Sequence, residues 1–165
     1  MRLLVFLHGT VLMHPGVLGR SREERVAQVR AGIDPSVQDY GAYVPVGDAV
    51  VKLRRWRRQG ARIDYLSSHR DPDAVAADGR VLCRHGFPSG RVLARRSGQS
   101  YGDLAARERP DVLIEDDCES IGPDQITHPQ IRADLRGTIK SIVVPEFGGI
   151  DHLPDGLQDL LTFEP

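Results

Sequence analysis

Five short apolar runs recur along this chain of 165 residues, and segments with helical spacing or helix-capping residues lie between them. The runs cover residues 3–7, 61–66, 91–94, 112–114 and 139–144, and the helical segments cover 48–60, 71–85, 100–109 and a short stretch at 156–161. Alternation of buried strands with helices is typical of a parallel sheet covered on both sides. The sequence therefore predicts an α/β fold: a doubly wound, mostly parallel, Rossmann-like sheet of about five strands with helices on both faces.

The chain is short enough for a single domain over residues 1–165, and at this size a domain buries roughly 68–70% of the surface that its unfolded chain exposes. Residues 11–46 form a long connection after the first strand. They contain one predicted helix, which begins after Ser21, has Glu24 in the capping-box position and ends near Gly32. We interpret this connection as a small cap-like insert.

Charge and cysteine content exclude several classes of protein. Lysine and arginine total 22 against 23 aspartate and glutamate residues, a net charge of −1, whereas a dedicated nucleic-acid binder needs a basic excess. The basic run within residues 52–58 is interpreted as the solvated face of an amphipathic helix. Cys83 and Cys118 form neither a zinc motif nor a disulfide framework, and no apolar run approaches the ~20 residues of a membrane span. We expect a cytoplasmic protein with no nucleic-acid or membrane partner.

Polar residues follow the predicted strands, and in a parallel sheet the carboxyl ends of the strands meet at the edge where ligands bind. Hydroxyls and cations suit a phosphate group, and adjacent carboxylates suit Mg²⁺. The residues are His8, Gly9 and Thr10 after the first strand, Ser67, Ser68, His69 and Arg70 after the second, Arg95 and Arg96 after the third, and Glu115, Asp116 and Asp117 after the fourth. The loop 145–152, rich in turn-forming residues, follows the fifth strand beside the same edge.

Four of these segments resemble the signatures of the haloacid dehalogenase-like superfamily over residues 2–145. Phe6-Leu7-His8-Gly9-Thr10 resembles the first signature, Asp-x-Asp-Gly-Thr, and the strand that ends at Ser67 resembles the second. Arg95 or Arg96 is the candidate for the Lys or Arg of the third signature, and the segment 111–117 resembles the fourth signature. The resemblance implies a phosphate held by the turn at Gly9 and Thr10 and by Ser67, and Mg²⁺ held by Asp116 and Asp117. Ser68 and Arg70 are further candidate phosphate contacts.

The first signature departs from the family pattern at two positions. Phe6 stands where the family has its aspartate nucleophile, and His8 stands where it has its acid/base aspartate. A phenyl ring cannot attack phosphorus, so the aspartyl-phosphate route is absent. His8 could act as an acid/base group, because an imidazole titrates near neutral pH, or could bind a softer metal with the two aspartates.

These observations leave three hypotheses of function. The first is a divergent haloacid dehalogenase-like protein that binds a phosphorylated small molecule, with Mg²⁺, without aspartyl-phosphate catalysis. The second is an active metal-dependent phosphohydrolase that uses His8 and a metal-bound water. The third is a non-catalytic scaffold that binds other proteins.

Overall fold

A five-stranded parallel sheet forms the centre of the computed structural model, which describes residues 1–32 and 35–164. The strands are β1 Arg2–Phe6, β2 Leu12–Met13, β3 Val44–Pro45, β4 Arg62–Leu66, β5 Val92–Leu93, β6 Val112–Asp116 and β7 Lys140–Val144. The order in the large sheet is β5-β4-β1-β6-β7, and every pairing in it is parallel. β1 is central, since Leu3 pairs with both Ile63 and Val112. The predicted α/β fold is confirmed, and each predicted strand is present within two residues of its expected ends.

Side chains alternate across β1 and supply a core on each face of the sheet. Leu3 and Val5 contribute to a large cluster that includes Leu53 and Trp56, whereas Leu4 and Phe6 contribute to a smaller cluster on the opposite face. This alternation follows from the two-residue period of a strand. The apolar residues of β1 thus require helices on both sides.

The helices are α1 Arg22–Ala31, α2 Ala49–Arg58, α3 Pro72–His85, α4 Tyr101–Glu108 and α5 Ala133–Arg136. α2 and α3 cover one face of the sheet, and α4 covers the other. The predicted capping box at Ser21 and Glu24 is present, and Gly32 and Gly86 end their helices in the left-handed conformation. Side-chain caps at Ser100 and Asp71 begin α4 and α3. These local signals explain why the boundaries of α1, α3 and α4 were predictable.

The connection 11–46 contains structure that the sequence pattern did not show. β2 and β3 form a two-stranded antiparallel sheet, and strands of two residues are too short to produce a periodic pattern. α1 packs through Val26 on a third apolar cluster with Met13, Val46 and Phe147. The role of 11–46 as a cap-like insert stays a prediction.

The C-terminal segment packs against α2. The predicted helix at 156–161 is instead a 3₁₀ turn at Gln158–Leu161. The indole N–H of Trp56 donates to the carbonyl of Pro154 at 3.0 Å, and the Lys52 ammonium donates to the carbonyl of Leu153 at 2.6 Å. The solvated-face interpretation of the basic run was therefore wrong for Lys52, which is buried.

Among the described residues, no helix combines the length and the apolar character needed to cross a membrane.

Candidate functional site

A cavity of about 200 Å³ lies between the carboxyl ends of the central strands and the connection 11–46. Most of its wall is apolar, with a few polar groups on it, which is the usual composition of a small-molecule site. Residues from the strand ends that line it include Phe6, His8, Gly9, Ser68, Asp116, Glu146 and Phe147. Residues from the connection that line it include Leu12, Met13, His14, Val29, Val37 and Tyr43.

Three carboxylates meet on one side of this cavity. Asp116, Asp117 and Glu146 each offer an oxygen, and these oxygens lie within 4.8 Å of one another. Asp116 ends β6, whereas Glu146 follows β7, so the parallel pairing of β6 with β7 brings the two residues together. Asp116 and Glu146 are almost fully buried.

The turn after β1 lies directly against Asp116. The Thr10 hydroxyl donates to Asp116 Oδ2 at 2.8 Å. Gly9 has φ +83°, and a Cβ there would lie 2.8 Å from the same oxygen, so only glycine fits this close approach. The N–H of Phe147 donates to the Gly9 carbonyl at 2.7 Å and connects the turn to the loop after β7. Gly9 and Thr10 therefore support the carboxylates.

Hydrogen bonds also orient the other two carboxylates. Glu146 accepts from both the backbone N–H and the hydroxyl of Ser120, each at 2.7 Å. Asp117 accepts from the backbone N–H of Glu146 at 3.0 Å, and Arg22 reaches its other oxygen at 3.4 Å. The cluster is thus held by contacts from four different segments of the chain.

The pKa of Asp116 is raised to about 6, chiefly by burial and also by the nearby Glu146 charge, although the hydrogen bonds from Thr10 and Cys118 act in the opposite direction. The buried carboxylates of Asp116 and Glu146, whose oxygens lie within 4.8 Å of each other, repel each other when both are ionised. A divalent cation would remove that repulsion, and carboxylate oxygens are the ligands that Mg²⁺ prefers. The donor set therefore fits Mg²⁺, and Glu146 would be a third ligand beside Asp116 and Asp117.

His8, which also lines the cavity, contacts a second polar group. Its Nδ1 lies 2.7 Å from the Ser68 hydroxyl, and its Nε2 lies 3.0 Å from Asp78 Oδ1. Asp78 Oδ2 also accepts from the Ser67 hydroxyl at 2.6 Å and contacts His69 Nδ1 at 3.2 Å. Asp78 is 1% exposed and lies on α3.

The charge states of this group follow from its contacts. Burial lowers the pKa of His8 from its usual value, although the hydrogen bond and the charge of Asp78 act in the opposite direction. For Asp78, burial acts to raise the pKa, but the hydrogen bonds from His69, His8 and Ser67 outweigh it and keep the pKa well below the usual range. A neutral His8 beside an ionised Asp78 is the resulting state near pH 7.

Phe6 both packs in the core and lines the cavity. Its ring belongs to the cluster around α4 and contacts Tyr101 edge to face, with 5.0 Å between ring centroids. The same ring is part of the cavity wall. Phe6 therefore presents a hydrocarbon surface to the cavity at the end of β1.

The three candidate arginines line a separate open cleft beside α3. Arg70, Arg95 and Arg96 lie there with Pro72 and Val75, and not along the wall of the first cavity. The Arg95 guanidinium stacks on Tyr101 at 3.6 Å from the ring centroid. The structure thus does not bring these arginines to the carboxylates, and their phosphate contacts stay a prediction, as do those of the hydroxyls of Thr10 and Ser67, which donate to carboxylates.

Asp78 and Glu146 are carboxylates of the site that were not among the site residues predicted from the sequence. Each had a signal. Asp78 is a carboxylate on the helix face that carries Ala77, Val81 and Leu82, all of which are buried. Glu146 follows a predicted strand at the ligand-binding edge.

No protein-family model and no curated protein sequence matches this chain. Solved structures with a similar fold include two of a class C acid phosphatase from Bacillus anthracis. The one with tungstate bound has 17% identity and a TM-score of 0.55, with 99% of this chain and 73% of that chain covered. The other has 16% identity and a TM-score of 0.57, with 98% and 77% covered. A chain of the Pnkp1/Rnl/Hen1 complex has 14% identity and a TM-score of 0.54, with 88% and 46% covered. At these identities the likeness shows the fold alone, in agreement with the predicted haloacid dehalogenase-like architecture.

Proposed function

We propose that this protein binds a phosphorylated small molecule together with Mg²⁺, and that no aspartyl-phosphate forms. The observation that carries the proposal is the convergence of Asp116, Asp117 and Glu146 at a cavity whose nucleophile position holds Phe6.

Charge in the cavity makes a cation necessary for an anionic ligand. Two of the three carboxylates line the wall, and among the described residues that line it none is a lysine or an arginine. A phosphate group would therefore meet net negative charge, which a bound Mg²⁺ would neutralise. Asp116, Asp117 and Glu146 would hold the ion, which when bound would supply positive charge for the phosphate oxygens.

The fold supports the ligand class. One structural neighbour is an acid phosphatase with tungstate bound, and tungstate is a tetrahedral oxyanion like phosphate. Ligands of open parallel sheets bind at the carboxyl edge of the strands, which is the edge where this cavity lies.

Titration calorimetry with Mg²⁺ alone, followed by inorganic phosphate in the presence and absence of Mg²⁺, tests the proposal. We expect Mg²⁺ affinity to fall at least about tenfold in Asp116→Asn, since one charged ligand is lost while the side-chain shape is kept. Asp73→Asn is the matched control, because Asp73 is exposed on the first turn of α3. Absence of Mg²⁺ binding to the wild type, or phosphate binding that is equally tight without Mg²⁺, would contradict the proposal.

A metal-dependent phosphohydrolase is the second candidate function. The observation that favours it is that His8 lines the same cavity as Asp116 and contacts buried Asp78. Phosphate release from a panel of phosphomonoesters, lost in Asp116→Asn, would support turnover. A protein that neither binds Mg²⁺ and phosphate nor releases phosphate would instead be a candidate protein-binding scaffold.

A further inference from the structure

We infer that Ser68 is a nucleophile, that His8 is its general base and that Asp78 is the positioning residue for His8. The inferred activity is hydrolysis of a phosphomonoester through a phosphoseryl enzyme, and the phosphate part of this inference rests on the proposed function. Ser68 lies two residues after the end of β4, whereas Phe6 ends β1.

The hydrogen bonds determine which group carries each proton. An ionised carboxylate can only accept, so His8 Nε2–H donates to Asp78 Oδ1 at 3.0 Å. In a neutral imidazole the other nitrogen then has a lone pair. Ser68 Oγ–H therefore donates to His8 Nδ1 at 2.7 Å. This is the proton arrangement of a nucleophile, a base and a group that orients the base.

The hydroxyls of Ser67 and Ser120 donate to carboxylates and not to an imidazole. The Ser67 hydroxyl donates to Asp78 and is fully buried. The Ser120 hydroxyl lines the same cavity but donates to Glu146. Among the described serines that line the cavity, Ser68 is the one whose hydroxyl contacts an imidazole nitrogen.

Three side chains contact the Asp78 carboxylate without an ion. His8, His69 and Asp78 also have the composition of a metal site, with ligand atoms within 4.8 Å of one another. However, both histidines contact Asp78 directly, and Ser67 donates to the same carboxylate. Burial of Asp78 is thus compensated by hydrogen bonds, which favours the orienting role.

The reaction balances in two steps. In the first, the Ser68 proton moves to His8 Nδ1, Ser68 Oγ forms a bond to phosphorus, and the bond from phosphorus to the ester oxygen breaks. The departing alcohol takes the proton from His8 Nδ1. In the second, His8 Nδ1 takes a proton from water, the water oxygen attacks phosphorus, and Ser68 Oγ leaves with that proton. The products are the alcohol and inorganic phosphate.

A fluorophosphonate probe in buffer with EDTA tests the nucleophile. This uncharged reagent forms a bond from serine Oγ to phosphorus and loses fluoride, so it needs neither Mg²⁺ nor a phosphate site. We expect one adduct, which peptide mass spectrometry places on Ser68 and not on Ser120, and no adduct in Ser68→Ala. Absence of labelling in the wild type, or an adduct on Ser120, would overturn the inference.

Two variants separate chemistry from folding. His8→Gly should lower the labelling rate by about 10²-fold or more, as expected for loss of a general base, and added imidazole should restore part of it. In Asp78→Asn the side-chain amide can donate to Nε2, which moves the proton to Nδ1 and removes the acceptor of Ser68. Labelling should fall there without rescue by imidazole, while the fluorescence of buried Trp56 stays native. An unchanged labelling rate in both variants would contradict the roles of His8 and Asp78.

The outcomes also separate this inference from the proposed function. Ser68 labelling without Mg²⁺ or phosphate binding would support the nucleophile and contradict the proposed ligand. Mg²⁺ and phosphate binding without Ser68 labelling would support the proposed ligand and contradict the role of Ser68 as a nucleophile.

Discussion

Phe6 and His8 stand two positions apart in the chain and have different surroundings. The Phe6 ring packs on Tyr101 and is 8% exposed, whereas the His8 ring contacts Ser68 and Asp78. The end of β1 therefore contributes one apolar side chain and one polar side chain to the cavity wall.

Phe6→Ala should lower the free energy of unfolding by about 3 kcal/mol, because it removes a buried ring and its edge-to-face contact. Urea denaturation followed by the fluorescence of Trp56, the single and fully buried tryptophan, measures this change. Leu18→Ala is the control, since Leu18 is 60% exposed and should change stability by less than about 0.5 kcal/mol. Equal effects of the two substitutions would contradict a structural role for the Phe6 ring.

Asp78→Asn should destabilise the protein by about 3 kcal/mol at pH 6, because a buried carboxylate with several donors loses its charge. The effect should depend on pH. The pKa of Asp78 is lower in the folded protein than in the unfolded chain, so its contribution to stability is present above the unfolded value of about 3.9 and is lost as the pH falls through the folded value.

Urea denaturation of the wild type and Asp78→Asn between pH 6 and pH 3 measures this dependence. The difference in unfolding free energy should shrink toward pH 3. A difference that stays constant over this range would show that the charge of Asp78 is not what stabilises the fold.

α1 is connected to the loops after β6 and β7 by arginines. Arg22 Nε donates to the Glu146 carbonyl at 3.0 Å, and its Nη2 contacts Glu119 at 2.5 Å. Arg25 donates to the Phe147 carbonyl at 3.3 Å, and Arg30 to the Glu119 carbonyl at 2.6 Å. These contacts hold α1 over the carboxylate cluster.

Arg22→Gln should weaken this attachment by about 1 kcal/mol, a typical value for a partly exposed hydrogen bond. Hydrogen exchange of the α1 amides should then become roughly fivefold faster, whereas Arg58→Gln, at an exposed position on α2, should leave it unchanged. Unaltered α1 exchange in Arg22→Gln would contradict a role for the Arg22 contacts in holding the helix.

The C-terminal segment belongs to the main core. Leu153, Leu157 and Leu160 are buried in the cluster that contains Trp56, and Trp56 donates to the carbonyl of Pro154. Because this segment and α2 share one cluster, we expect the described part of the chain to unfold in a single cooperative transition.

Leu160→Ala should lower the unfolding free energy by about 3 kcal/mol, because Leu160 is fully buried. The adjacent Leu161→Ala is a matched control, since Leu161 is 43% exposed. In urea denaturation the first variant should shift the midpoint without changing the slope. A second transition, or a changed slope, would show that the C-terminal segment unfolds separately.

Local features of the sequence were sufficient to predict most helices and strands and part of the candidate site. Apolar runs of three to six residues predict the strands, and Ser21, Asp71 and Ser100 predict helix starts because a cap acts within one turn. The position of Asp116 at the carboxyl edge of the sheet was predictable, because parallel strands place their carboxyl ends at one edge. The strands β2 and β3 could not be predicted, since a strand of two residues is too short to show a periodic pattern.

Only the tertiary structure decided which polar side chains of the candidate site lie together. The pairing of β6 with β7 adds Glu146 to Asp116, and the packing of α3 adds Asp78 to His8 and Ser68. It also places Arg70, Arg95 and Arg96 in another cleft. The reason is physical. A helix cap or a strand depends on residues that are neighbours along the chain. The partner of a buried charge is instead determined by packing between distant segments, as for Thr10 and Asp116, which are 106 residues apart.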